Sequence, residues 1–522
     1  MSVKGKSAWR LVGPGPPFHN RSAPVDGMAH MNRLIRTVAL CLPVLALAGC
    51  TVNPATGKQS FTTFMSPADE AVVGREEHPK ILEQSGGAYG DRDLDVYVRN
   101  VGQLLARASE TPDLSYTFTV LNDPKVNAFA LPGGYVYVTR GLLALADNEA
   151  EMAGVLAHEI GHVVARHTAE RYSQAVAANL GLTILGALGS AAGVPTGLGS
   201  LASFGAQAYL QGFSREQELE ADMLGVRYMT RTGYDPRAMI SFLRKLQGHD
   251  ALEAALSGKR KAADRFHIMS THPRTADRIA RAIELAKVRP AAKPRVGRDA
   301  YLARIDGMVF GDPPKQGIRK GRVFVHPQLA IRFTVPPGFA MSNTPGQVVA
   351  RGPGGATIAF DMKRGPAARR VRSLPAYLVR DWGSRLSLRA VERITVNGME
   401  AATGRDRLQT RAGPRDVRLL AIRERPDRIY RFLFITPPSL TARLTNEFKR
   451  TTYSFRRLSP QEASSIQPLR LGVVTVHPGD TAKMLAARMP LGKFSLAWFE
   501  TLNGLGGGRP LVPGRKVKVV VE

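Results

Sequence analysis

Read for its hydrophobic period, the chain divides near residue 290. Before that point apolar positions recur at helical spacing, and after it they alternate in short runs. A helical pattern runs from roughly Pro67 to Arg107. Next comes YTFTVLNDPKVNAFALPGGYVYVTRGLL, Tyr116–Leu143, whose β-rich ends flank the turn-formers Asn122-Asp123-Pro124 and Pro132-Gly133-Gly134. This predicts a hairpin-like pair of strands. A long helix follows, with Asn148 and Glu151 spaced as a capping box and with Asp147 and Glu149 adding charge that suits a helix N-terminus. No charged residue lies between Arg171 and Arg215. A second, charged helix spans about Arg215–Thr230, and further helices run to about Val288.

RPAAKPRVGR, Arg289–Arg298, reads as a linker. Beyond it LAIRFTVPPGF alternates Leu329, Ile331, Phe333 and Val335, as a half-buried strand does. Short strands and Pro/Gly turns continue to about Arg457, and SPQEASSIQP, Ser459–Pro468, reads as a second linker. The expected organisation is an N-terminal extension over 1–30 and a signal segment over 31–49. A linker at 50–64 leads to a main domain at 65–290. A further linker at 291–300 precedes a small α+β domain at 301–457, and a third at 458–470 precedes a terminal module at 471–522. The fold class is multidomain α+β, with the main domain mostly helical and carrying a small sheet.

Composition changes this picture little. A chain of 522 residues, 44% hydrophobic and 22% charged, is globular rather than disordered. The net charge of +29 raises a nucleic-acid reading, but the arginines run along most of the chain with no Lys/Arg block and no nucleic-acid motif. A bias towards arginine accounts for the charge more simply. Attraction to anionic lipid or to acidic envelope polymers stays open.

The two cysteines change it more. Cys41 and Cys50 both fall in MNRLIRTVALCLPVLALAGC, with Arg33 and Arg36 ahead of the apolar run Val38–Leu47 and small residues before Cys50. The three-part pattern is that of a signal peptide, and the run is short for a membrane span. It resembles a bacterial lipoprotein signal, which implies acylation at Cys50. A chain starting at Cys50 has no cysteine pair for a disulfide. Thr51 then favours the periplasmic face of the outer membrane over the inner membrane.

The chemistry concentrates in LAHEIGHVVARH, Leu156–His167. His158 and His162 are one helical turn apart and point to one side. Glu159 lies on a neighbouring line, where it reaches a water without occupying the metal. On a buried helix such a trio is costly unless a partner compensates it. The extended HExxHxxGxxH pattern fails, because position 165 is Ala and position 168 is Thr. His167, about half a turn round from His158, is expected to face away as a surface residue or one supporting the site. The third ligand is expected to be a carboxylate, and the next acids are Glu216, Glu218, Glu220 and Asp222 in SREQELEADMLG. Glu218 and Asp222 share a helix face, while Glu220 points elsewhere.

With NAFALPGG, HEIGH, ELEAD and THPRTADRI in order, residues 65–290 resemble the gluzincin metallopeptidases, the family of the CAAX prenyl protease and the bacterial HtpX and BepA proteins. The resemblance implies a zincin-type domain holding one zinc ion by His158, His162 and Glu218. It implies Glu159 as general base and Asp222 as an acid near the reacting centre or behind the ligands. It also implies that His272 is either a fourth ligand at rest or an aid to the transition state. Arg278 falls in the same motif without a defined role. GGYVYV, with Gly133, Gly134, Tyr135 and Val136, is expected to be the edge strand that pairs with substrate. The uncharged stretch Tyr172–Ser214 reads as a helical hairpin over the site or dipping into lipid, its pieces being short for spanning.

VTVHPGDTAKMLAARM, LNGL and LVPGRKVKVV resemble a LysM domain, which implies a βααβ module and peptidoglycan binding; a small domain docked on the protease is the competing account. The function implied is an envelope zinc endopeptidase acting on misfolded or mis-assembled envelope polypeptides, with no nucleic-acid partner. The alternative is a lipoprotein chaperone or peptidoglycan-binding adaptor with a latent metal site.

Overall fold

The computed structural model describes residues 50–53, 55–189, 212–257, 276–285, 291–411, 413–506 and 508–522, without the side chains at 50–51, 179–189, 257, 276–279 and 285. The signal segment, His272, the Arg278 and Cys50 side chains, and the middle of the uncharged stretch lie outside the described residues. The chain divides into a unit ending at Thr51 and a compact body, Val52–Glu522, which is the subject below. Among the described residues no helix is long and apolar enough to cross a membrane.

The helical pattern of the first forty residues of the main domain is split into α1 (Pro67–Gln84) and α2 (Arg92–Arg107). Gly86, Gly87 and Gly90 adopt left-handed φ values of 78°, 88° and 80° between them, which ends the first helix. Ser66 and Asp69 cap α1 reciprocally, and Asp91 caps α2.

The expected strand pair is a three-stranded sheet. β1 (Thr117–Leu121) and β2 (Ala128–Leu131) flank β3 (Tyr135–Thr139), with β1 parallel and β2 antiparallel to it. This corrects the edge-strand expectation. Tyr135 and Val136 sit in the central strand, and Gly133 and Gly134 form the turn before it at φ 77° and 86°. A Cβ on Gly133 would come within 2.9 Å of the Glu70 carbonyl, so the turn needs glycine for space as well as for angle. The outer edge of β1 is occupied, because Tyr89 N–H donates to Val120 O and Asn122 N–H to Gly87 O. Among the described residues no strand pairs with the other edge of β2, whose four residues are buried.

β3 runs into α3 (Arg140–Leu145) and then into α4 (Glu149–Val164), which carries the HEIGH motif. Asn148 caps α4 by accepting from Glu151 N–H, and the Glu151 carboxylate in turn accepts from Asp147 N–H. Every residue of α4 except Val163 is buried, as in a helix surrounded by protein on all sides. Helices α5 (His167–Gly189), α6 (Arg215–Arg231), α7 (Ala238–Ser257) and α8 (Ala276–Leu285) follow.

The stretch read as a linker packs back on this domain. Arg295 Nη2 lies 2.6 Å from the buried Glu149 carboxylate and its guanidinium covers the Tyr234 ring. Helix α9 (Arg298–Ile305) buries Tyr301, Leu302 and Ile305. The buried guanidinium of Arg140 donates to Asn122 Oδ1, Val309 O and Gly311 O. The first core therefore extends to Met308, past the boundary expected at 290.

The middle region is dominated by an antiparallel sheet of seven strands. It comprises β4 (Ala340–Asn343), β5 (Val348–Arg351), β6 (Thr357–Arg364), β7 (Arg389–Val396), β8 (Met399–Thr410), β9 (Gly413–Arg425) and β10 (Arg428–Thr436), in the order β7-β8-β9-β10-β6-β5-β4. One face packs Phe360, Phe432 and Phe434 against α10 (Pro438–Ser454) and a small four-stranded sheet. The other face is covered by short helical turns over Pro366–Arg369 and Leu374–Tyr377.

The terminal module runs β11 (Arg470–Thr475), α11 (Ala482–Ala487), α12 (Ser495–Leu502) and β12 (Lys516–Val521), with the two strands antiparallel. Asn503 closes it from inside, donating to Phe499 O and Lys518 O and accepting from Lys518 N–H. Its apolar residues, among them Phe499, Leu502, Val517 and Val520, belong to the same core as α4. The junction is keyed by Lys518. Its side chain is fully buried, and its Nζ donates to the carbonyls of Ala144, Leu145 and Ala146 at 2.9, 3.0 and 2.7 Å and lies 3.1 Å from Asp147 Oδ1. These are the orphan carbonyls at the end of α3, where a cation is favoured. Burial, and then repulsion from Lys245, push the Lys518 ammonium down to about 7, while Asp147 pulls the other way.

Lys518→Met keeps the stem and removes the charge, leaving three carbonyls without their donor. It should destabilise the body by roughly 3 kcal/mol, the scale for breaking a buried ionic contact. Chemical denaturation measures this, and an unchanged midpoint would mean the contact contributes nothing.

Candidate metal centre

His158, His162 and Glu218 converge in the core, and all three are buried. The two Nε2 atoms are 3.0 Å apart, Glu218 Oε2 is 3.7 Å from that of His158, and Oε1 is 3.5 Å from that of His162. Bonds of about 2.0–2.1 Å to a zinc ion place tetrahedral ligand atoms roughly 3.3 Å apart, so the three donors match the requirement of the ion. The donor set, two imidazoles and one carboxylate, is also that of a catalytic rather than a structural zinc site.

Two glycines bring the helices this close. A Cβ on Gly161 of α4 would lie 2.9 Å from Ala221 O on α6, and a Cβ on Gly225 of α6 would lie 3.2 Å from His158 N. At these two points backbone meets backbone, and a side chain at either would push Glu218 away from the histidines.

Each histidine is held from behind. Asp222 Oδ1 lies 2.8 Å from His158 Nδ1, on the side of the ring opposite the converging Nε2. Asp222 therefore reaches the centre through His158, which corrects its expected place beside the reacting atoms to the alternative behind the ligand. Holding a proton on Nδ1 leaves Nε2 free to bind a cation. His162 Nδ1 pairs with His167 Nδ1 at 2.8 Å, and His167 Nε2 lies 3.9 Å from Glu220 Oε2. Glu220 accepts from Asn53 Nδ2, Thr56 Oγ1 and Lys58 Nζ. Burial alone would raise the Glu220 carboxyl, but the hydrogen bonds from His167 and Thr56 outweigh it and hold it at about 2. The Phe213 ring stacks on His162 at 4.0 Å, and the Arg171 guanidinium lies over the same ring, 4.9 Å from its centroid.

His167 does not face away as a continuous helix would have placed it. α4 ends at Val164, Arg166 takes a left-handed φ of 55°, and a new helix starts at His167, so its ring swings back onto His162. No spacing rule gives this turn; the pairing of His167 with Glu220 is legible only once the helix break is known. Glu159 is buried on α4 between the two ligands. β2 packs against α4.

Glu218→Ala should lose bound zinc on metal analysis of the purified protein, and full occupancy would remove Glu218 from the ligand set. His167→Ala should keep zinc but weaken its affinity by about 10–100-fold, the usual effect of removing a ligand's supporting partner. Competition with a zinc-binding dye measures both.

Residues 93–286 match Peptidase family M48. The chain is 31% identical over 276 residues to the beta-barrel assembly-enhancing protease of Escherichia coli (strain K12), covering 51% of this chain and 54% of that one. It is 35% identical over 216 residues to the mitochondrial metalloendopeptidase OMA1 of Schizosaccharomyces pombe, covering 40% of this chain and 59% of the relative. The chain thus spans about half the length of the relatives it matches. The region matching Peptidase family M48 contains His158, Glu159, His162, Glu218 and Asp222, so the buried cluster lies wholly within the part of the chain that resembles that family.

Proposed function

We propose that this chain is a zinc metalloendopeptidase of the bacterial cell envelope that hydrolyses peptide bonds in misfolded or mis-assembled envelope proteins. The observation that carries the reading is the convergence of His158, His162 and Glu218 on one buried point, with Glu159 on the same helix. The similarity to a beta-barrel assembly-enhancing protease supports the substrate class.

When bound, zinc polarises the scissile carbonyl and acidifies a water. Glu159 takes the proton of the attacking water and returns it to the leaving amine. Asp222 fixes the His158 ring, and His167 with Glu220 fixes His162, so neither ligand turns as charge builds up. Substrate binds in extended form along β2, because main-chain pairing accepts any side chain and so suits unfolded polypeptide. A lipid anchor at Cys50 places the enzyme at the outer membrane, facing the periplasm, and His272 closes the site at rest as a fourth ligand. The terminal module offers its exposed turns near His477 and Val512 to peptidoglycan while its other side is packed on the protease.

Glu159→Gln should bind zinc as the parent does and lose at least about a hundredfold in cleavage of casein, the scale of a missing general base. Rates compared on zinc-loaded proteins, with a chelated sample as blank, decide it. Retained activity would place the base elsewhere.

A further inference from the structure

Residues 53–65 come before α1 and lie outside the region that matches Peptidase family M48. They nevertheless reach the back of the metal centre at two places.

The first is the Glu220 carboxylate. Val52 is 61% exposed, whereas Asn53, the next residue, is only 5% exposed. Asn53 Nδ2 donates to Glu220 Oε1 at 2.8 Å, Thr56 Oγ1 donates to the same oxygen at 2.6 Å, and Lys58 Nζ donates to Oε2 at 3.2 Å. These donors converge because the chain closes on itself there. Asn53 N–H donates to Lys58 O, Gly57 N–H donates to Asn53 O, and Asn53 Oδ1 accepts from Ala55 N–H, as asparagine does in a tight turn. Arg227 of α6 holds the same turn by donating to Ala55 O.

The second place is Arg166. Its guanidinium donates to Met65 O at 2.6 Å and to Thr62 Oγ1 at 3.3 Å. Arg166 is the residue whose left-handed backbone brings His167 onto His162. One grip therefore holds the carboxylate in front of His167, and the other holds the turn that puts His167 there.

Burial of apolar surface would be the simpler account of a segment laid on a domain. Among the described residues of this one, however, the buried positions are Asn53, Thr62 and Met65, and two of them are polar. A buried polar side chain is costly unless satisfied. Here the Asn53 and Thr62 side chains and the Met65 carbonyl are all parts of the two grips.

We infer that residues 53–65 are a strap that positions His162 for its cation, with Asn53 and Thr56 acting as positioning residues through Glu220 and His167. The inference rests on the zinc centre proposed above. Glu220 borders a cleft of about 200 Å³. Without Asn53 and Thr56 its carboxylate turns into that space and away from His167, 3.9 Å from it in the structure, and His162 loses what orients its ring.

The test measures the zinc affinity of the full chain by competition with a zinc-binding dye, so no readout depends on turnover. The double variant Asn53→Ala, Thr56→Ala should bind zinc about tenfold more weakly than the parent, the lower end of the range for a lost supporting partner. Asn53→Ala, Thr56→Ser returns the hydroxyl and should recover part of that loss. In a His167→Ala background the double substitution to alanine should cost nothing further, because residues acting through one link do not add; a second tenfold loss there would overturn the relay. Asp91→Ala removes the cap of α2 and touches neither grip. If it weakens zinc binding equally, the effect is general loosening and the proposal fails. Coupling is also reciprocal, so zinc must steady the strap as the strap steadies zinc. Hydrogen exchange at the Asn53 and Gly57 amides should slow when the parent is loaded with zinc, and should not slow in zinc-saturated His167→Ala. Unchanged exchange in the parent rejects the strap. A parent that takes up no zinc sinks the proposed function and this inference together, whereas equal zinc affinity in the parent and the double alanine variant sinks the inference alone.

Discussion

Three buried acids at the start of one helix hold this protein together. Asp147, Glu149 and Glu151 are all buried, and between them they are answered by several separate stretches of chain. Asp147 meets Lys245 at 2.8 Å and Lys518 at 3.1 Å. Glu149 accepts from Tyr97 and Tyr234, each at 2.5 Å, and from Arg295. Glu151 accepts from Ser241 and from the backbone of Asp147. Burying charges this way is costly unless every partner is present, so α2, α7, the returning strap and the terminal module are all tied to the first turn of α4. His158 and His162, the two histidines of the proposed metal site, lie further along the same helix. Their placement is inherited from that anchored turn and from the two glycines that let α6 approach.

The same logic of a charge answered from behind recurs around the ligands. Asp222 backs His158, and His167 with Glu220 backs His162. The two supports differ in origin. Asp222 comes from the same helix as Glu218, so one element sets both a ligand and the orientation of another. Glu220, one face round on that helix, works through a histidine supplied by α5 and is itself held by Asn53, Thr56 and Lys58. The segment just after the proposed anchor is thereby linked to the metal centre through two side chains.

Much of the site could be read in the sequence because it rests on local periodicity. One helical turn between His158 and His162, and the shared face of Glu218 and Asp222, are fixed by the geometry of single helices. What spacing alone left undecided was which acid is the ligand and which the support, since that depends on how α6 lies against α4. The misplaced parts share one cause, which is that tertiary contacts overrode local pattern. The PGGYVYV stretch has the alternation of an edge strand, but Thr117–Leu121 adds in parallel beside it and makes it central. A continuous helix aims His167 away, whereas the left-handed backbone at Arg166 turns it back onto His162. The segment after residue 290, rich in proline and alanine, has the composition of a linker, yet Arg295 and Arg298 find buried carboxylates and carbonyls to bind. The strand–helix–helix–strand order of the terminal module is what its resemblance to a LysM domain implies; that its Lys518 is consumed by the neighbouring domain is not legible in the sequence.

Lys518 caps a carbonyl made 372 residues before it. Synthesis at about 5–20 residues per second separates the two by roughly twenty seconds to over a minute. Throughout that interval α3 lacks its cap, Asp147 lacks one of its cations, and the apolar side of the peptidase core that α12 will cover faces solvent. Contacts of such long range are also slow to close. The order of synthesis thus acts as a delay: the last of the ties to the helix carrying His158, Glu159 and His162 forms only after Lys518 has been made. For the proposed protease of unfolded chains, this topology keeps the enzyme from being completed while it is itself still unfolded.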